Sequence, residues 1–177
     1  MGTDKDIQSN RSMNSDNNIS FSIRRCTAED LEGVIAVNER ELPEDYPYFF
    51  YKNLLDNFPE SFLVACSNDG EIIGYIMWRV EKMPSINSLR LVNKGHLVSL
   101  AVFQEHRRRG IATALLRNSM PAIKKQGIIE YVLEVRVSNY NAINLYKKFK
   151  FKIDGIKKKY YRDGENAYYM SLKNEES

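Results

Sequence analysis

The chain has 177 residues, enough to bury a substantial core, and its 43% hydrophobic and 28% charged residues are ordinary for a soluble globular protein. Its net charge of +3 is too small by itself to indicate nucleic-acid binding. No apolar run approaches the roughly 18 residues of a membrane-spanning helix, so we expect no membrane span.

The first twenty residues are polar and lack the apolar segment of a signal peptide. We therefore expect residues 1–20 to be a disordered tail, residues 174–177 a second polar tail, and the protein to be cytoplasmic. Residues 21–173 are expected to form one domain. Cys26 and Cys66 lack metal-ligand spacing and are expected to be free, buried thiols in a reducing compartment.

The first half of the chain alternates short strand and helix patterns. Residues 21–25 predict a strand, and Thr27 is the predicted N-cap of a helix that ends near Glu41. The prolines of residues 42–47 interrupt helical structure, and a second helix is expected to begin near Pro47.

Residues 61–66 and 71–80 are the next predicted strands, joined by a turn at residues 68–70. Residues 82–95 show no clear periodicity and are predicted to be a loop. A strand over residues 97–103 follows.

A helix is predicted from Ile111, with a kink or an early end at Pro121. Residues 129–137 alternate as a strand, and Ser138 or Asn139 is the predicted cap of a helix through Phe149. Two last strands, residues 151–162 and 165–172, are predicted to form a hairpin around a turn at residues 163–164. The whole pattern predicts a mixed α/β fold.

The basic stretch Arg107-Arg108-Arg109-Gly110 lies between the strand ending near Phe103 and the helix that begins at Ile111. Backbone N–H groups at a helix N-terminus are unpaired, and the helix dipole adds partial positive charge there. Gly110 permits close approach of a ligand to the backbone. The stretch matches neither a Walker A loop nor a dinucleotide fingerprint, so it predicts a different phosphate or pyrophosphate site.

Read as Arg107-x-x-Gly110-x-Ala112, the loop resembles the pyrophosphate-binding motif of the GNAT superfamily of N-acetyltransferases. The resemblance implies the GNAT fold, a central mixed, twisted β-sheet flanked by helices, with splayed central strands that hold acetyl-CoA.

Further stretches resemble the Ard1-type catalytic subunits of N-terminal acetyltransferases, so that the resemblance spans residues 21–172. Residues 42–46 resemble a substrate loop of that group, residues 96–112 its central motif, and residues 159–168 its closing hairpin. Residues 135–146 resemble a motif shared with the RimI-like ribosomal-protein alanine acetyltransferases. Lys150 departs from the pattern, since many relatives have glycine or asparagine there, and a positive φ would strain lysine by about 1 kcal/mol.

The resemblance implies transfer of acetyl from acetyl-CoA to the N-terminal amine of proteins, with no metal. Glu44 is a candidate base, acting directly or through water, because a carboxylate in a partly apolar loop can have a raised pKa. His96 is a second candidate base, with a packing role as the alternative. Tyr146 is a candidate acid for the departing thiolate, and its alternative is a core tyrosine.

The remaining site residues are implied by the resemblance. The residues expected to bind the cofactor, together with Tyr146, are Leu100, Ala101, Val102, Arg107, Arg108, Arg109, Gly110, Ile111, Ala112, Thr113 and Asn139. The residues expected to line the peptide N-terminus are Leu42, Pro43, Tyr46, Arg136, Tyr160 and Tyr161.

Three alternatives stay open at this point. In the first, the acceptor of the acetyl group is a lysine side chain or a small-molecule amine. In the second, the chain is a non-catalytic acyl-CoA-binding module. An RNA-binding function rests on basic clusters alone. The partners to consider are protein N-termini as substrate, the ribosome and an auxiliary subunit, with no membrane and no specific nucleic acid, and we expect a monomer or weak homodimer.

Overall fold

A computed structural model describes residues 20–174. The expected tails, residues 1–19 and 175–177, lie outside the described residues. The helices are α1 Leu31–Glu41, α2 Tyr48–Asn57, α3 Ile111–Lys124 and α4 Tyr140–Lys148. The strands are β1 Phe21–Arg25, β2 Leu63–Ser67, β3 Ile72–Pro84, β4 Leu91–Val102, β5 Glu130–Arg136, β6 Lys152–Lys157 and β7 Ala167–Lys173.

The strands follow the order β1-β2-β3-β4-β5-β7-β6 in one sheet. β4 and β5 run parallel, whereas β2 pairs antiparallel with both β1 and β3, and β7 pairs antiparallel with both β5 and β6. This confirms the predicted mixed α/β fold. None of the helices in residues 20–174 is long and apolar enough to cross a membrane.

Contacts divide the chain into two compact units. Unit one contains the described residues up to Ile76 together with Leu100–Ser119, and unit two contains Met77–Ser99 and the described residues from Met120 onward.

Unit one is built on α1 and its capped start. Leu31, Val34 and Val37 recur at helical spacing and are completely buried. The Thr27 N–H donates to the Asp30 carboxylate at 2.8 Å, which pairs one of the backbone donors that a helix start leaves unsatisfied. The predicted N-cap at Thr27 is therefore confirmed.

Unit two has β5 at its centre. β4 and β5 pair only from Lys94–Glu130 to His96–Val132, although both strands continue beyond these residues. The strands therefore stop pairing part-way along, as expected of splayed central strands. Trp78 is fully buried and packs edge-on against Tyr131, with ring centroids 5.9 Å apart.

A buried ion pair joins Lys94 of β4 to Glu130, the first residue of β5. Lys94 Nζ lies 3.0 Å from Glu130 Oε2, and both residues are buried. Glu130 also accepts hydrogen bonds from the Ser85 hydroxyl and the Ile86 N–H. Burial would raise the Glu130 pKa, but hydrogen bonds from Ser85, Lys94 and Ile86 and the Lys94 charge outweigh it and lower the pKa. The carboxylate thereby anchors the β3–β4 connection.

The predicted loop over residues 82–95 is wrong. β3 continues through Pro84, β4 already begins at Leu91, and only residues 85–90 connect them. The polar residues in this stretch obscured the alternating pattern of a strand. Side chains such as Lys94 can lie in a strand because they form ion pairs within unit two. Polar residues with partners are compatible with a buried strand.

Two strand lengths in the closing hairpin were also wrong. β6 ends at Lys157 and β7 begins at Ala167, so the strands are shorter than predicted, although they do pair antiparallel. Side chains bond to the backbone in this connection: Asn166 Oδ1 accepts from the Lys159 N–H, and the Glu165 carboxylate accepts from the Ser138 N–H. Local side-chain bonds of this kind compete with strand pairing.

Candidate active site

The basic loop in unit one is anchored to the C-terminal end of α1. The Arg107 guanidinium forms an ion pair with Glu41, and Arg107 Nε donates to the Val102 carbonyl at 3.1 Å. The Glu41 carboxylate also accepts the Gln104 N–H at 3.1 Å. Arg107 therefore holds the loop, while Arg108 and Arg109 are exposed and Arg109 lies 3.3 Å from His106 Nδ1.

The loop leads directly into the N-terminus of α3. Gly110 has φ of 78°, and a Cβ built there would meet no atom within 4 Å. Gly110 is therefore required by its backbone conformation, and it leaves open space in front of the first N–H groups of α3. Arg108 also has positive φ, 63°, which costs a residue with a side chain about 1 kcal/mol. The geometry suits an anion such as a pyrophosphate.

Glu44 is held through its own peptide group. The fully buried Asn38 donates from Nδ2 to the Glu44 carbonyl at 2.6 Å and accepts from the Tyr75 hydroxyl at 2.6 Å. Tyr46 stacks on Phe50 with centroids 4.8 Å apart. These contacts fix the backbone of the loop that follows α1.

His96 in unit two lies between two carboxylates. Its Nε2 lies 2.6 Å from Glu134 and its Nδ1 3.0 Å from Glu81, while Arg79 forms an ion pair with Glu81. Nδ1 also lies 3.4 Å from the Arg79 guanidinium, so both ring nitrogens have partners. A base needs a free nitrogen, so these contacts favour a positioning role for His96.

Glu134 is the most strongly perturbed acid of this network. Burial would raise its pKa, but the hydrogen bond and charge of His96 and those of Lys157 outweigh burial and lower the pKa to about 2. Lys157 reaches Glu134 at 2.5 Å and lies over the Tyr169 ring at 4.7 Å. Sequence reasoning missed Glu134 and Glu81 as partners of His96.

Tyr146 and Asn139 lie on α4 and at its start. Tyr146 is buried and packs against Phe151 with centroids 6.0 Å apart, and burial raises the pKa of its hydroxyl. The phenol therefore stays protonated, as a proton donor must. Asn139 caps α4 by accepting the Ala142 N–H at 3.2 Å, which confirms the predicted cap.

Arg136 is tied to the connection between β6 and β7. Its guanidinium lies 2.7 Å from Asp163 and 2.8 Å from Glu165, and its Cζ lies 4.0 Å above the Tyr161 ring. Tyr160 packs edge-on against Tyr161 at 5.0 Å and is half exposed. Arg136 thus holds both tyrosines of this connection.

The predicted site residues are distributed over both units. Unit one contains the substrate loop, the end of β4 and the basic loop, namely Leu42, Pro43, Glu44, Tyr46, Leu100, Ala101, Val102 and residues 107–113. Unit two contains His96, Arg136, Asn139, Tyr146, Tyr160 and Tyr161. Contacts bring Arg107 to Val102 in the first, and Arg136 to Tyr161 in the second. In residues 20–174, no group of three or more His, Cys, Asp or Glu side chains is arranged to hold a metal ion.

Comparison with known proteins identifies the protein family. The sequence model of the Acetyltransferase (GNAT) family matches residues 24–151. The N-alpha-acetyltransferase of Sulfolobus acidocaldarius is 45% identical over 158 residues, which cover 86% of this chain and 92% of that protein. The chain belongs to the GNAT acetyltransferase family.

Two further matches indicate the type of acetyltransferase within this family. The N-terminal acetyltransferase complex ARD1 subunit homolog of Dictyostelium discoideum is 36% identical over 153 residues, covering 85% of this chain and 72% of that protein. The structure of Arabidopsis thaliana Naa50 with the bisubstrate analogue CoA-Ac-MVNAL matches with a TM-score of 0.75 and 26% identity over 88% of this chain and all of that one. This chain is an N-terminal acetyltransferase of the Ard1 type, as the sequence motifs predicted.

Proposed function

We propose that this chain transfers the acetyl group of acetyl-CoA to the N-terminal amine of proteins through the residues named above. The observation that carries the proposal is the cationic loop between β4 and α3, braced by Arg107 and Glu41 with Arg108 and Arg109 exposed. The Arabidopsis relative in complex with CoA joined to an acetylated peptide supports the same pair of ligands here.

The exposed arginines and the N–H groups at the start of α3 fit a pyrophosphate, which is a doubly anionic group. When bound, acetyl-CoA supplies an acetyl group activated as a thioester. We assign its pyrophosphate to residues 107–113, its pantetheine arm to the backbone of Leu100 and Ala101, and its acetyl carbonyl to the Val102 N–H. Asn139 is an additional proposed contact to the cofactor.

Glu44 is the proposed base. The α-amine has a pKa of about 8, so a modest base suffices to take its proton, directly or through water. The bond from Asn38 to the Glu44 carbonyl supports this role, because it fixes the peptide that carries the carboxylate. His96 is the second candidate, and its contacts with Glu81 and Glu134 make Glu44 the better one.

Tyr146 is the proposed proton donor to the departing thiolate. Burial raises the pKa of its hydroxyl, which keeps the proton in place at neutral pH and makes the hydroxyl a weaker acid. Leu42, Pro43 and Tyr46 are the proposed walls of the substrate pocket in unit one. Arg136, Tyr160 and Tyr161 are further proposed substrate contacts, as the motif resemblance implies.

We also propose an auxiliary subunit as partner. The name of the Dictyostelium relative assigns that protein to a complex, and Tyr48 and Phe49 of α2 expose 53% and 72% of their surface directly after the substrate loop. A partner contacting these rings would change the position of residues 42–47. Ribosome association, a cytoplasmic location and a monomer or weak homodimer stay predictions.

The test measures transfer from labelled acetyl-CoA to peptides that begin with Ser, Ala, Met-Leu or Glu. The same peptides with a blocked N-terminus and an internal lysine are the substrate control. Glu44→Gln should lower kcat by about 10²- to 10⁴-fold with an unchanged KM for acetyl-CoA. Asp45→Asn, which changes the adjacent exposed acid, should behave as wild type.

Label on blocked peptides would instead assign the enzyme to lysine acetylation. Binding of CoA without any transfer by the isolated chain would contradict transfer by this chain alone. Equal losses in Glu44→Gln and Asp45→Asn would remove Glu44 as the base.

A further inference from the structure

β3 contains one extra residue near its start, in the part that belongs to unit one. Its register with β2 pairs Tyr75 with Val64 and Gly74 with Ala65, and then pairs Ile72 with Cys66, so Ile73 is a β-bulge. The Ile73 carbonyl accepts the N–H of Phe103 at 3.0 Å. Bulges redirect the strand locally and recur beside active sites. Here the bulge bonds to the first residue after β4.

Gly74 follows the bulge and lies against two elements of the site. A Cβ at this position would be 3.0 Å from the Ala101 carbonyl oxygen, 3.1 Å from Val102 Cγ2 and 3.5 Å from Ile111 Cγ2. The first two atoms belong to the end of β4, and the third to the first residue of α3. The requirement for glycine here is therefore one of space.

The Ala101 carbonyl and the Val102 N–H belong to the same planar peptide group. A side chain at position 74 that displaces this oxygen must therefore tilt the Val102 N–H as well. A backbone oxygen, unlike the end of a flexible side chain, cannot rotate away without moving the strand.

We propose that the Ile73–Gly74 bulge is a positioning device for acetyl transfer, in which Gly74 sets the orientation of the Val102 N–H. The inference rests on the proposed function, in which this N–H faces the acetyl carbonyl. Donors to a developing oxyanion act only at well-defined positions, and misplacement by about 1 Å can cost 10²-fold in rate.

The first experiment compares Gly74→Ala with Gly155→Ala. Gly155 is also a strand glycine beside a register shift, but a Cβ there meets no atom within 4 Å. Gly74→Ala should lower kcat by about 10-fold or more with a smaller change in the KM for acetyl-CoA, while remaining folded at the assay temperature. Gly155→Ala should keep the wild-type kcat.

The second experiment acts on the hydrogen bond and leaves Gly74 unchanged. Phe103 has φ of −51°, which proline can adopt, so Phe103→Pro removes the N–H that bonds to Ile73. Phe103→Ala removes the ring, which lies 4.7 Å from the Arg40 guanidinium, and keeps the N–H. The proline variant should have the lower kcat by several-fold.

Transfer by the wild type tests the proposed function, and only the ratios of variants to wild type test this inference. A wild-type kcat in Gly74→Ala overturns it, and so do equal kcat values in Gly74→Ala and Gly155→Ala. If Gly74→Ala does not fold, the Phe103 pair decides, and equal kcat values in that pair overturn the inference.

Discussion

Replacing Glu134 by glutamine tests whether the His96 network stabilises the fold. Glu134 is the acid at its centre, with a side chain 7% exposed and bonded to both His96 and Lys157. The substitution keeps the size and the hydrogen-bonding atoms and removes the charge. Lys157 then loses its carboxylate partner, and His96 keeps only Glu81.

The size of the expected loss of stability follows from the lowered pKa of Glu134. The Glu134 pKa falls from the ordinary 4.5 to about 2, and a tenfold change in proton affinity is worth about 1.4 kcal/mol. The ionised carboxylate therefore contributes about 3 kcal/mol to the free energy of unfolding. Because the folded pKa is the lower one, this contribution is complete above pH 4.5 and is lost as the pH falls toward 2.

Urea unfolding of wild type and Glu134→Gln at pH 7 and at several lower pH values measures the effect. The variant should be less stable by about 3 kcal/mol at pH 7, and the difference should shrink as the pH falls below 4.5. Asp56→Asn is the matched control, because it breaks the exposed Lys52–Asp56 pair and should cost at most about 0.5 kcal/mol. A difference between wild type and Glu134→Gln that does not change with pH would refute the reasoning.

Two further predictions concern the backbone and the basic loop. Lys150 has φ of 72°, so Lys150→Gly should raise the free energy of unfolding by about 1 kcal/mol in urea titrations, and an unchanged or lower value would contradict the strain. Glu41→Gln should raise the KM for acetyl-CoA several-fold with little change in kcat, because Arg107 loses its ion pair. Glu105→Gln, which breaks only the exposed Arg40 pair, should leave that KM unchanged, and a similar rise in both variants would argue against the anchor.

Local patterns predicted much of this fold. The caps at Thr27 and Asn139 and the start of α3 at Ile111 were found from residue spacing and capping chemistry. These features depend on residues a few positions apart. The departure at Lys150 implied strain on the condition that its φ is positive, and the φ of 72° meets that condition.

The network around His96 could not be found in this way. Glu81, His96 and Glu134 come from three different strands and are separated by at least fifteen residues in the chain. Their association depends on strand register, and no local pattern contains it. The polar face of β5 carried a weak signal, since Glu134 alternates with buried Leu133 and Val135.

Heat acts differently on apolar contacts and on buried ion pairs. The penalty for removing charges from water falls as the temperature rises, whereas the stabilisation from each unit of buried apolar area levels off. Lys94 and Glu130 form such a buried ion pair, and Glu130 also holds Ser85 and Ile86. The desolvation cost of holding Ser85 and Ile86 through this carboxylate therefore falls on warming.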